Sequence, residues 1–399
     1  MQKLTAIGVN IPEILLPQGC DQAKWACIAC DQYTSQPEVW LEAEQIVGDA
    51  PSTLRIVLPE VWLSDADARI PNVHAAMREY LAHVLTRKIN GFILTARTTQ
   101  SGCRKGLVLA IDLEQYDYSV GSKSRVRATE GTILSRIPPR QKVRRGAPLE
   151  SPHVMLLIDD KERTVIEPLY AALSSTAPEY DAQLYQNMGR LTGWAVTEEK
   201  LLTQVTDALC ALDAERGDAP LFAVGDGNHS LATAKACWEE IKVTLTAEEM
   251  ENHPARFALV EVVNLYDNAL AFEPIHRVIF NADNAAIEAL LKDAQTEANA
   301  PVTFITKDGE VQLKCLPVHV LQPLLDEYLA AHPEAEIDYV HGDDAARTLG
   351  SKEGACSLLL TTLDKLQLFP AVALGPLPRK SFSMGEANEK RCYYECRAL

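Results

Sequence analysis

Residues 220–242 read PLFAVGDGNHSLATAKACWEEIK, and no other segment constrains the fold so tightly. Leu221, Phe222, Ala223 and Val224 form an apolar run of strand character. Leu231, Ala234, Trp238 and Ile241 then recur at helical spacing and give one buried stripe. Only Gly225, Asp226, Gly227, Asn228, His229 and Ser230 join the two. Two glycines bracketing an aspartate at a strand end imply a sharp turn or a close approach by something else.

Elsewhere the chain alternates apolar runs with helical stripes. A helix is expected after Pro37, with Ser35 as its cap and Gly48 as its stop. TLRIVLP (53–59) reads as a strand, and IPNVHAAMREYLAHVL as a helix. GFILTART and GLVLAIDL read as a hairpin turning around Ser101–Gly102, and HVMLLIDD as a further strand. Residues 165–215 read as mostly helical, and ARFALVEVVNL and FEPIHRVIF as strands. Beyond 280 a helix, the hairpin VTFIT/VQLKCL, a helix and a strand make a smaller unit. The expected class is α+β (mixed α/β) with a mixed sheet: a main domain over 1–280 and a C-terminal α+β unit with its tail over 281–399.

Composition narrows the function classes. A net charge of −17 opposes nonspecific binding to a phosphate backbone. The ten cysteines lack framework spacing, and the C-x-x-C of Cys27 and Cys30 has no second pair at zinc-site distance. Reduced thiols are expected. No apolar run reaches membrane-spanning length, and Pro12 and Pro17 break the N-terminal stretch, so a cytoplasmic location is expected.

Positive charge is concentrated in one place. Residues 123–145 carry Lys123, Arg125, Arg127, Arg136, Arg140, Lys142, Arg144 and Arg145. Guanidinium groups on a Pro- and Gly-rich backbone suit phosphate or carboxylate recognition. Glu130 lies among them and would be ionised, as suits a general base for a hydroxyl. At the turn, Gly225 and Gly227 clear space, Asn228 is the expected cap, and the helix start with Ser230 is ready for an anion. His229 and Lys235 could join it, and Asp226 could orient His229, bind a metal or accept a proton. Weaker candidates are Asp159–Asp160, Glu150, His153, His276 and the segment DQYTSQ (31–36).

GDGNHSLATAK resembles the signature of domain-of-unknown-function family 1015. KWACIACDQYTSQPEVW, RATEGT, RIPPR, SPHVMLLIDD, EPIHRV and GEANEKRCYYECR fit the same family, over nearly the whole chain. The turn is also similar to the D-G-H-H-R turn of the ParB/sulfiredoxin-like superfamily, which includes kinases of free serine. Asp226, Gly227 and His229 match that pattern, Asn228 replaces its first His, and Ser230 replaces its Arg. The resemblance implies ParB/sulfiredoxin-like core elements and a turn that cradles nucleotide phosphates.

The expected function is phosphotransfer to a small hydroxyl metabolite, serine-kinase-like, with Mg²⁺ and ATP or ADP. The turn and Lys235 hold phosphates, Arg125, Arg127, Arg136 and Arg140 neutralise charge, and Glu130, Asp226 and His229 do the catalytic work. The alternative is a non-catalytic regulatory protein that binds a nucleotide or metabolite in the same pocket. The expected partner is a small phosphorylated ligand, with no nucleic acid and no membrane.

Overall fold

A computed structural model describes residues 2–34, 36–295, 300–314 and 316–399. The chain divides into two compact units. The first contains Met1–Ala271, Val372–Gly375 and Gly385–Leu399, and the second Phe272–Ala371 and Pro376–Met384.

The first unit begins with helices α1 (Pro37–Val47) and α2 (Ala66–His83). Gly48 ends α1 at a positive φ, while Ser35 lies outside the described residues. Then come β1 (Phe92–Thr99), β2 (Gly102–Asp112), β3 (Val126–Ala128), α3 (Ile137–Arg144) and β4 (Met155–Ile158). They are followed by β5 (Tyr180–Gln183), β6 (Arg190–Val196), α4 (Glu199–Glu215), β7 (Phe222–Asp226), α5 (Asn228–Lys242) and β8 (Phe257–Asn264). The sheet runs β5-β6-β1-β2-β8-β4-β7-β3 and ends on Tyr116–Asp117. β4 pairs parallel with β8 and antiparallel with β7, whereas β7 and β3 are parallel. It is the mixed sheet the sequence implies. Leu231, Ala234 and Trp238 bury the inner face of α5 against the core.

Two sequence readings change. Residues 53–59 are no strand: Thr53–Arg55 is a short 3₁₀ turn. The Ser52 and Thr53 hydroxyls donate to the Trp25 carbonyl at 3.0 and 2.9 Å, and Thr53 Oγ1 accepts from Cys27 N at 3.0 Å. Such side-chain bonds displace a ladder. Within 165–215 the hairpin β5–β6 interrupts the helical reading, and β6 pairs with β1 along its whole length.

The second unit contains β9 (Phe272–Phe280), α6 (Asn284–Asp293), β10 (Val302–Thr306), β11 (Gly309–Leu313), α7 (Val318–Ala331), β12 (Glu336–His341) and β13 (Ala355–Leu359). Its sheet runs β11-β10-β13-β9-β12, with Phe382–Met384 added to the start of β9. Ile279, Leu291, Phe304, Leu325 and Leu358 form its core. The chain's last residues differ from the 281–399 reading: Gly385–Leu399 belongs to the first unit. There Cys392–Tyr393 pairs with Cys27–Ile28, and Arg391 is buried. No helix among the described residues is long and apolar enough to cross a membrane.

Candidate functional site

β7 ends at Asp226, and Gly227 takes φ 80°, the left-handed conformation that favours glycine. A Cβ there would lie 3.0 Å from Val154 Cα and 3.5 Å from His153 Cδ2, so the position also lacks room. Asp226 Oδ1 accepts from Gly227 N at 3.0 Å, and Gly227 O accepts from Leu231 N at 3.0 Å, starting α5. The cap is therefore Gly227, where the sequence suggested Asn228, and no side chain caps the helix. The N–H groups of Asn228 and Ser230 have no carbonyl within the helix to bond. The helix dipole adds partial positive charge there.

The loop after β3 lies against this turn. Thr129 Oγ1 donates to Val224 O at 2.7 Å, and Ile133 N donates to His229 Nε2 at 3.2 Å. His229 thus spends one ring nitrogen as an acceptor, which leaves Nδ1 as its donor. Glu130 sits between the two anchors, two residues past the Ala128–Val224 pair, as Asp226 is on its own strand. Three buried oxygens in this loop and turn have no hydrogen-bond partner among the described residues: Thr132 Oγ1, Asp226 Oδ2 and Asn228 Oδ1. Buried polar atoms without partners are uncommon and mark a place for a polar ligand or water.

The basic segment is arranged otherwise than expected. Arg125 pairs with Asp213 at 2.9 Å, Arg140 with Glu60, Arg144 with Glu150 at 2.6 Å and Arg145 with Glu240 at 2.6 Å. Lys123 and Lys142 meet Asp218 and Asp67 at 3.7 and 3.2 Å. Arg127 is buried with its Nε donating to Ser124 O, while Arg136 is exposed at the start of α3. Lys235 is held by Glu239 at 2.7 Å. An acidic chain supplies a carboxylate for most of these cations, and Arg125, Arg140 and Lys235 are each engaged by one.

A cation beside the turn is one the sequence did not single out. Lys390 Nζ lies 3.5 Å from Asp226 Oδ2, and both side chains are mostly buried. Two of the weaker candidates join it. His153 Nδ1 lies 2.6 Å from Tyr393 Oη, and His153 Nε2 lies 3.8 Å from Asp31 Oδ2. Burial would push the Asp31 carboxyl up, but His153, a hydrogen bond from Gln32 and the Lys390 charge outweigh it and hold it below its ordinary range. Asp31 belongs to the segment DQYTSQ and His153 to LESPH, so polar clusters were the signal for both.

The remaining candidates fill structural roles. Asp160 accepts from Thr164 N and Val165 N at 2.7 and 2.8 Å, and Asp159 accepts from Tyr266. Glu150 bonds Arg144 and Arg397. His276, in the second unit, bonds Asp343 at 2.9 Å. Cys27 and Cys30 are free thiols whose ionisation burial pushes far up, which opposes thiolate chemistry. Among the described residues no group of three or more His, Cys, Asp or Glu could hold a metal ion.

A family model described as a protein of unknown function, DUF1015, matches residues 17–365. No curated protein matches the chain. Among solved structures, a free serine kinase in complex with AMP is 8% identical with a TM-score of 0.40, covering 72% of this chain and 90% of that one. SbnI with a C-terminal truncation, from Staphylococcus aureus, is 10% identical with a TM-score of 0.37, covering 72% and 85%. A conserved hypothetical protein from Pyrococcus furiosus is 10% identical with a TM-score of 0.36, covering 73% and 94%.

Proposed function

The chain belongs to the DUF1015 family of proteins of unknown function, and we propose that it binds a nucleotide or phosphorylated metabolite at the 225–230 turn and transfers a phosphoryl group to a small hydroxyl compound such as serine. One observation carries this reading: an uncapped helix start at a left-handed glycine, lined by the buried Thr132 Oγ1 and Asn228 Oδ1, which have no hydrogen-bond partner among the described residues. Phosphoryl transfer needs mainly positioning and electrostatics, so no nucleophilic side chain is required.

In this scheme the α5 start, with Gly225, Gly227, Asn228 and Ser230, holds the phosphates of ATP or ADP. The acceptor oxygen bonds to phosphorus as the anhydride P–O bond breaks, and the leaving phosphate keeps the electron pair. The hydroxyl proton goes to Asp226 Oδ2, since Oδ1 is engaged by Gly227 N. Glu130 and the His229 Nδ1–H face the same loop and turn as supporting groups. The residues do not fit a dedicated Mg²⁺ cage, because Asp226 is already paired with Lys390 and no three-ligand group is present among the described residues.

Asp226→Asn separates base from scaffold. The amide keeps the turn, because Asn and Asp favour the same turns. Transfer from ATP to serine is expected to fall by about 10²–10⁴-fold, the usual size of a lost general base. ATP affinity should stay level or improve, as one negative charge near the anion is gone. Full transfer activity in this variant would show that Asp226 only shapes the turn.

A further inference from the structure

We propose that Lys390 is the cation that neutralises a phosphate bound at the turn, doing the work a protein-held divalent metal would otherwise do. This rests on the phosphate reading above and identifies how its charge is met. Lys390 lies beyond the residues the family model matches.

Three observations carry the inference. Lys390 Nζ is 3.5 Å from Asp226 Oδ2, and its side chain is only 11% exposed, so its charge acts in a poorly screened place. Its charge also acts on Asp31, where it helps hold the carboxyl ionised. Three of the cations expected at the phosphate are held by carboxylates instead: Arg140 by Glu60, Arg125 by Asp213 and Lys235 by Glu239.

The backbone on both sides of Lys390 is clamped. Glu389 accepts from Ser101 N at 3.0 Å and Ser101 Oγ at 2.8 Å. Arg391 donates to Pro152 O at 3.1 Å and pairs with Glu261 and Glu395 at 3.3 and 2.9 Å. A lysine fixed in this way is aimed at the turn before any ligand arrives, and preorganised charge is what phosphoryl transfer needs. Asp31 already has His153 beside it at 3.8 Å, whereas Asp226 has Lys390 at 3.5 Å. An incoming phosphate at the turn therefore depends on that ammonium, and removing it leaves the Asp226 carboxylate facing the anion.

The test is ADP affinity by calorimetry, in EDTA and in excess Mg²⁺, for the wild type, K390R, K390M and the double variant K390M/D226N. Wild type is expected to bind ADP in EDTA. K390M should weaken that binding by about ten- to a hundredfold, the range for a charged hydrogen bond. K390R should retain most of it, and the double variant should recover part of what K390M loses. The double variant also keeps the test sound if K390M unfolds, because it removes both members of the pair. In that event, double-variant affinity equal to wild type overturns the proposal. K390M binding ADP in EDTA as wild type does overturns it too, as does a wild type that binds ADP only with Mg²⁺. Wild type binding ADP in neither condition instead overturns the phosphate reading itself, and this proposal with it.

Discussion

Gly227→Val is expected to abolish ADP binding and to cost about 2–4 kcal/mol of stability. About 1–2 kcal/mol comes from placing a side chain in the left-handed region. The rest is overpacking, since the new Cβ would lie 3.0 Å from Val154 Cα and 3.1 Å from Val154 Cγ2. Neither neighbour is the free end of a flexible side chain. Gly227→Ala carries the φ cost with less crowding, and its loss should be smaller. Urea unfolding monitored by Trp fluorescence reads the stability, and an ADP titration of the folded fraction reads the binding. A valine variant as stable as wild type with unchanged ADP affinity would place the ligand elsewhere.

Arg391→Ala is expected to cost about 3–5 kcal/mol, the loss typical when one partner of a buried ion pair is removed. Its guanidinium lies between Glu261 at 3.3 Å and Glu395 at 2.9 Å, all three almost inaccessible. Gly106 is part of the same arrangement: a Cβ there would lie 2.2 Å from Glu261 Oε1, so the strand must leave that side open for the carboxylate. The effect should depend on pH in a definite direction. Burial would push the Glu261 carboxyl up, but Arg391 and Arg104 outweigh it and hold it below its ordinary value. A folded pKa below the unfolded one contributes stability that is complete above the unfolded value, about 4.3, and is lost as pH falls through the folded value. Without Arg391 the carboxyl moves upward and its contribution shrinks. The difference between variant and wild type should then be larger at pH 7 than at pH 4. Urea midpoints at the two pH values measure it, and equal differences would mean that Arg391 acts by packing alone.

The sequence showed the turn because its signals are local. A strand run, paired glycines and a helical stripe lie within one short segment, and their conformations follow from neighbouring residues. The 53–59 segment misled because hydroxyls from Ser52 and Thr53 reach Trp25, a contact distant in sequence. The basic segment misled for a related reason. Arg140 and Arg145 find Glu60 and Glu240, and no local pattern reports such partners. Lys390 was invisible for the same cause, since only the return of the tail to the first unit sets it beside Asp226.

The most direct measurement is a TROSY titration of amide-labelled protein with ADP. The expected result is large shifts in the Asn228 and Ser230 amides, saturating together with smaller changes at Thr132 and Lys390. Saturable shifts confined to residues remote from the 225–230 turn, with those two amides unmoved, would contradict phosphate binding at the helix start.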